Sequence, residues 1–251
     1  MMQSEITADA RLRNWENFAR YHALGDWYGY LTRYSSEGEA IESVKCIRSF
    51  NLSADGSEIH HQNQYIDADG QSRSKSFGPY KKPLVTALYL DDCFSWGSTA
   101  IDPTASVGFE TGFRCDRRGA SAVVIYNDRG NSPRLTVHVE QLDSFPDEAA
   151  LAIEAASNKW QGYSKSLTPD LAMSELEMCE YQAIDELDDL YQIFHCSGGV
   201  SICCPRQIES QIEMFFAVDW LVSPTKRQRG IRHYNSSGFT LLTLQTFTAD
   251  L

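Results

Sequence analysis

The chain has 251 residues, of which 42% are hydrophobic, 22% charged and 12% aromatic, a globular balance that excludes a disordered or fibrous protein. No run approaches the ~18 uninterrupted apolar residues of a membrane span, and Met1-Met2-Gln3-Ser4-Glu5 lacks the basic and apolar blocks of a signal peptide, so a cytoplasmic protein without membrane insertion is expected. The net charge of −12 repels phosphate backbones and disfavours nucleic acid as a partner, and the seven cysteines show no paired C-x-x-C spacing, which fits a reducing compartment.

The first predicted element is a helix from about Ala8 to Tyr21, with Leu12, Trp15, Phe18, Ala19 and His22 along one face and a stop at Leu24-Gly25. Short β-prone runs broken by turn residues follow: Ala40–Leu52, Ser57–Ile66, Leu84–Leu90, Ala120–Tyr126 and Arg134–Gln141. Asp55-Gly56 and Asp69-Gly70 mark tight hairpin turns. A second helix is predicted after Ser144-Phe145-Pro146-Asp147, whose Ser-x-x-Asp spacing and early Pro are a helix start, and it extends to about Asn158. The acidic stretch Leu176–Leu190, with Asp185, Glu186, Asp188 and Asp189, reads as either a short helix or an exposed hairpin rim. Strands at Gln192–His195, Val200–Cys204, Gln211–Val222 and Phe239–Phe247 complete the chain. The crossover stretches of a parallel sheet are missing, so the expected fold is mostly antiparallel β, as closed up-and-down barrels.

Several features recur in order. Trp27-Tyr28-Gly29-Tyr30 returns as Trp160-Gln161-Gly162-Tyr163, an offset of 133 (160 minus 27). Arg117-Arg118-Gly119 followed by Tyr126-Asn127 returns as Arg227-Gln228-Arg229-Gly230 followed by Tyr234-Asn235, where the Tyr-Asn offset is 108 (234 minus 126). Between these, Phe109-Glu110 parallels Ile212-Glu213, and Ser95-Trp96-Gly97 parallels Ser197-Gly198-Gly199. The pattern predicts an internal duplication, with the surplus of the first copy near Ala54 to Ser76 and domains at 1–143 and 144–251.

Gly25-Asp26-Trp27 after a short helix resembles the opening of the lipocalin and calycin barrels. Together with Gly198-Gly199-Val200-Ser201 and the Arg227–Gly238 segment, it makes the whole chain similar to an uncharacterised lipocalin-like family of cyanobacteria and plastids. The closing pattern Arg227-Gln228-Arg229 and Gly238-Phe239 more distantly resembles the phycobiliprotein chromophore lyases. The resemblance implies two tandem barrels, each preceded by a short helix. It also implies a Trp at each barrel floor, Trp27 and Trp160, packed on a basic residue from the end of the sheet: Arg117 or Arg118 for the first, Arg227 or Arg229 for the second. The second copy departs from G-x-W, having Asn158-Lys159 before its Trp.

A calycin interior holds one small ligand or is filled by side chains. The expected ligand is hydrophobic, with a carboxylate or other polar end, of the tetrapyrrole, fatty acid or isoprenoid class. Lys226, Arg227, Arg229, Arg232 and Tyr234 stand out in an acidic chain, and alternation puts Arg227 and Arg229 opposite Arg232 and Tyr234. Arginines of one face would grip the carboxylate; the competing reading is a solvated edge or the capping of the floor Trp. Arg114 and His138 are similar candidates, His138 sharing a polar face with Thr136 and Glu140. Under an enzyme alternative, a cyclase, isomerase or lyase, Glu110 and Glu213 would be the acid or base. A third reading has filled barrels and a protein partner. No metal site is expected: His60 and His61 point to opposite faces of a strand, and His195 with Cys196, Cys203 and Cys204 reads as buried thiols. No cofactor-binding glycine loop or nucleophile elbow is present, so no cofactor is expected.

Overall fold

A computed structural model describes residues 7–84, 86–102, 104–127, 133–147, 151–155, 159–186, 190–209 and 212–249. It is mostly antiparallel β, with helix α1 (Ala8–His22) at the N-terminus. The Thr7 hydroxyl accepts from the Ala10 amide, with Asp9 in the first turn and Arg20 and His22 in the last, so side chains complement both ends of the helix.

The first sheet contains β1 (Asp26–Tyr34), β2 (Ala40–Leu52), β3 (Glu58–Ile66), β4 (Ser72–Lys81), β5 (Ala87–Leu90), β6 (Cys93–Gly97), β7 (Val107–Cys115), β8 (Arg118–Tyr126) and β9 (Arg134–Leu142). Their order is β4-β3-β2-β1-β9-β8-β7-β6-β5, a nine-stranded half-barrel. Gly56 and Gly70, at φ +69° and +83°, supply the left-handed residue of the turns on either side of β3. The second sheet contains β10 (Gln161–Leu167), β11 (Glu177–Glu180), β12 (Tyr191–His195), β13 (Val200–Pro205), β14 (Met214–Ser223), β15 (Lys226–Asn235) and β16 (Gly238–Thr248). Its order, β11-β10-β16-β15-β14-β13-β12, repeats that of the first sheet without β3 and β4. Register fixes the correspondence. Tyr28 pairs with Gln141 and Arg118 with Gln141, while Gln161 and Lys226 both pair with Thr248. Trp27 therefore corresponds to Trp160, and Tyr126 to Tyr234.

The sheets pack back to back. Alternate residues of β7 and β14 interleave, Phe109 on Phe216 with ring centroids 4.4 Å apart and Phe113 on Trp220 at 6.3 Å. One buried apolar cluster runs through both sheets, from Val107, Val124 and Val137 to Ile202, Val218 and Leu242. The concave face of the first sheet is stoppered by α1, whose Trp15, Phe18 and Tyr21 pack with Phe50, Ile59, Tyr89 and Phe94. The Asn14 amide donates to the carbonyls of Leu84 (3.2 Å) and Ala87 (2.8 Å), and its oxygen accepts from the Tyr89 amide (2.9 Å).

Four expectations are corrected. Among the described residues neither sheet closes into a barrel, because β4 and β5, and likewise β11 and β12, end their sheets unpaired with each other. The second helix is not formed over 152–155, whose side chains bury no apolar face on which a short Ala-rich helix could dock; 148–150 and 156–158 lie outside the described residues. The strand expected from Leu84 begins at Ala87, since Asn14 takes the Leu84 carbonyl. β4 was not expected, because Ser72-Arg73-Ser74-Lys75-Ser76 has no apolar alternation. The ambiguous acidic stretch divides into β11 and a single 3-10 turn at Ile184–Glu186, whose Ile184 is buried; Asp188 and Asp189 lie outside the described residues.

Candidate functional site

The half-barrel's interior face is polar at its floor. Strand alternation directs Arg48 of β2, His61 and Asn63 of β3, Trp96 of β6, Glu110 and Arg114 of β7, and His138 and Glu140 of β9 to this face. At the floor, Glu140 Oε1 accepts from Arg114 Nη1 (2.7 Å) and Arg48 Nη1 (3.2 Å), with all three side chains buried. Burial alone would raise the Glu140 pKa, but the two guanidinium groups outweigh it and hold it at about 2. Arg114 also lies over Trp27, its Cζ 3.5 Å from the ring centroid, and donates from Nε to the Tyr21 carbonyl (3.2 Å). It can lie there because Gly119 has no side chain: a Cβ would sit 1.7 Å from Arg114 Nη1.

Above the floor the walls are aromatic. His22, Phe50, His61 and Phe77 form a stacked column with successive centroid separations of 4.2, 4.0 and 4.7 Å. Burial and the nearby Arg48 lower the pKa of both His61 and His138 to about 3, so both rings are neutral at pH 7. Beside the column lies a cavity of about 420 Å³ lined by Arg48, His61, Asn63, Tyr65, Phe77, Tyr80, Trp96, Glu110 and His138, within the size range of small-molecule pockets. Two ionisable side chains in its lining, Arg48 and Glu110, come from strands β2 and β7. Arg48 keeps its buried Nε–H without a hydrogen-bond partner, while Glu110 accepts from the Ser121 hydroxyl (2.9 Å) and has lone pairs to spare. The site can therefore offer a donor, an acceptor and neutral imidazoles to a flat apolar molecule.

The second sheet has a floor of similar chemistry, and a groove of about 500 Å³ runs beside its Trp160 and Tyr181. Asp219 is buried and accepts from Arg227 Nη1 (3.1 Å), Arg229 Nε (2.9 Å) and Arg229 Nη2 (2.7 Å), and Arg229 Nη1 donates to the Gln182 carbonyl (2.9 Å). Arg227 lies 5.2 Å from the Trp160 ring centroid. Arg227 and Arg229 are thus engaged in holding the floor. Arg232 and Tyr234 face the other sheet: Arg232 donates to Tyr234 Oη (2.6 Å), Ser95 Oγ (3.1 Å) and the Ser98 carbonyl (3.0 Å), and Tyr234 donates to that carbonyl (2.6 Å). They bind the two sheets together. Lys226 Nζ lies 3.1 Å from Cys115 Sγ.

Arg117 and Arg118 do not cap Trp27. Arg117 pairs with Asp143 at the surface, and Arg118 donates to the Val222 carbonyl across the sheet interface. Glu110 and Glu213 are not equivalent: Tyr126 pairs with Val107 and Tyr234 with Met214, which sets Glu110 against Ala217. Glu213 precedes β14 and lines a groove of about 540 Å³ with Tyr191, Phe215 and His233. By the same register Trp96 corresponds to Cys203, so the match of Ser95-Trp96-Gly97 to Ser197-Gly198-Gly199 does not hold. None of the seven cysteines forms a disulfide, His195 bonds Ser201, and no group of three metal-ligating side chains occurs among the described residues. Sequence reasoning passed over Arg48, His61, Asn63 and Trp96 as site residues. Their signal is a period of two, Cys46-x-Arg48-x-Phe50 and Ile59-x-His61-x-Asn63-x-Tyr65.

Comparison with known proteins supplies the family. Residues 180–247 match the model described as Biogenesis factor required for ATP synthase 1, C-terminal domain. No curated protein matches the chain. A crystal structure of a protein of unknown function from Nostoc punctiforme, itself of the DUF3598 family, superposes with a TM-score of 0.76 at 18% identity, over 99% of this chain and 100% of that one. An S-type phycobiliprotein lyase from Guillardia theta aligns over 99% of each chain at 8% identity, but its TM-score of 0.22 carries no weight for the fold. The model described as Domain of unknown function (DUF3598), N-terminal, matches residues 11–145, more than half of the sequence, and the chain belongs to that family.

Proposed function

We propose that the half-barrel acts as a calycin-like pocket for a small, flat, largely apolar ligand whose polar end meets Arg48 and Glu110. The observation that carries the reading is the unpartnered Arg48 Nε–H, buried beside a cavity with aromatic walls. A buried donor left unpaired costs about 1–3 kcal/mol, and a ligand acceptor would recover it. Arg48 and Arg114 are balanced by Glu140 and Glu110, so a neutral carbonyl suits the site as well as a carboxylate does; tetrapyrroles, fatty acids and isoprenoids all offer one or the other. On this reading the protein is cytoplasmic, and its two sheets descend from one duplicated barrel.

Native mass spectrometry with an absorption spectrum, on protein purified from a pigment-producing host, tests the proposal. The expected result is a stoichiometric adduct that is lost on unfolding. Retention of palmitate or biliverdin, whichever class is found, should weaken at least about tenfold in Arg48→Gln, a loss of roughly 1.4 kcal/mol. An apo mass that neither probe changes, or retention indifferent to Arg48, would sink it. Glu110 favours a second reading, an enzyme that acts on a hydrophobic intermediate, because it places a carboxylate in the same cavity. Under that reading Glu110→Gln keeps the ligand and abolishes turnover.

A further inference from the structure

The two sheets differ most at one edge. Register sets β11 against β2: Gly29 pairs with Cys46, and the corresponding Gly162 with Cys179. In the first sheet the far side of β2 is paired with β3 from Lys45 to Leu52, and β4 follows. In the second sheet β11 is the last strand, and no described residue pairs with its far side. A lone edge strand is ordinarily masked, because its free N–H and C=O groups template pairing with another chain. Here the strand is four residues long, with an exposed apolar side chain set between two glutamates, Glu177 and Glu180, and another just before it. Met178 is 83% exposed and Leu176 62%, and Tyr163, paired directly with Met178, is 48% exposed. A groove of about 500 Å³ lies along the same strand pair, bounded by Trp160, Tyr163, Met178, Cys179 and Tyr181.

From this we infer that β11 is a docking edge for an extended, basic segment of a partner protein, which adds to the second sheet as β3 adds to the first. Main-chain hydrogen bonds along the edge supply affinity, and the groove takes an alternate apolar side chain. Charge selects the occupant. Glu175, Glu177 and Glu180 are all exposed along the strand, in a chain of net charge −12. Two copies of this chain meeting edge to edge would oppose those carboxylates to one another, whereas lysines or arginines on an incoming strand would pair with them.

A short fluorescent peptide of alternating lysine and valine is the probe, with an alternating glutamate and valine peptide as its control, both added to the full chain. The lysine peptide should bind saturably and at least about tenfold tighter than the glutamate peptide, and hydrogen exchange should slow at residues 177–180. Met178→Lys, at a side chain already in solvent, should weaken it by a similar factor, and Glu177→Lys with Glu180→Lys should invert the preference. Failure to bind, or protection that falls elsewhere than on β11, overturns the inference. Self-association of the chain through residues 177–180, seen by sedimentation, overturns the choice of partner in favour of a second copy. A parallel measurement of ligand retention in the half-barrel keeps this outcome separate from that of the pocket.

Discussion

His61 shows how a single residue ties the proposed pocket to the protein's response to acid. It is stacked between Phe50 and Phe77, its Nε2 is 2.6 Å from Asn63 Oδ1, and burial with the nearby Arg48 lowers its pKa to about 3. The unfolded chain takes up this proton near the ordinary histidine value of 6.5, while the folded chain refuses it until about pH 3. The unfolded state therefore binds more protons throughout that window, and stability falls as pH drops through it, by up to about 1.4 kcal/mol per pH unit for each such group. His138 acts in the same direction. Glu140, whose pKa is depressed to about 2, contributes stability that is present above its ordinary value of 4.5 and lost only below it. Between about pH 6 and pH 5 the histidines thus dominate the slope. His61→Phe keeps the stack and removes one proton site, so its urea-unfolding free energy should fall less steeply with acid than the parent's, by up to about 1.4 kcal/mol per pH unit. Equal slopes would show that His61 is not held neutral by the fold.

At the scale of elements, α1 acts as the stopper of the half-barrel, and Asn14 is the residue that fastens it. Its amide serves three backbone groups, the Leu84 and Ala87 carbonyls and the Tyr89 amide, all at the start of β5. Asn14→Leu keeps the volume of the side chain but leaves those groups unpaired where water does not reach, at about 1–3 kcal/mol each before relaxation. Thermal unfolding should report a loss of about 3 kcal/mol or more in total, and a loss below about 1 kcal/mol would mean that the helix is held by its apolar face alone. This helix was legible in the sequence, because Trp15, Phe18 and His22 recur at helical spacing. The turns at Gly56 and Gly70 were legible as well, since only certain residues make them, as was the correspondence of Trp27 with Trp160. The second helix does not extend over 152–155, because local start signals say nothing about whether a buried surface awaits the segment. The polar interior of the half-barrel was not legible for a related reason: alternation separates two faces but does not say which is inside, and polar residues such as Arg48 and His61 are naturally assigned to solvent. Equating Glu110 with Glu213 failed because chemical likeness was followed in place of register, which the hairpin pairings set independently.

On the scale of the molecule, the arrangement is two curved sheets sharing their convex sides. The buried cluster that includes Val124 and Val137 of one sheet continues into Phe216 and Leu242 of the other, so neither sheet possesses a complete core of its own. The polar links across the interface are buried or half-buried: Arg232 reaches Ser95 and Ser98, the Tyr34 hydroxyl lies 2.9 Å from Ser197 Oγ, and Tyr126 donates to the Pro205 carbonyl. Separating the sheets would expose the shared apolar face to water and break the bonds of Arg232 to Ser95 and Ser98. The two halves should consequently unfold together. Calorimetry should show one transition, with equal calorimetric and van't Hoff enthalpies. Two resolved transitions would mean that the sheets are stable separately and that the interface contributes little. A single transition gives the Arg48 pocket and the β11 edge a common fate, because each lies on a sheet whose back is finished by the other. Destabilising the interface, for instance by Arg232→Leu, should then weaken ligand retention in the half-barrel and peptide capture at β11 at the same denaturant concentration, although Arg232 lines neither site and meets the pocket only through the Gly97 carbonyl in its wall.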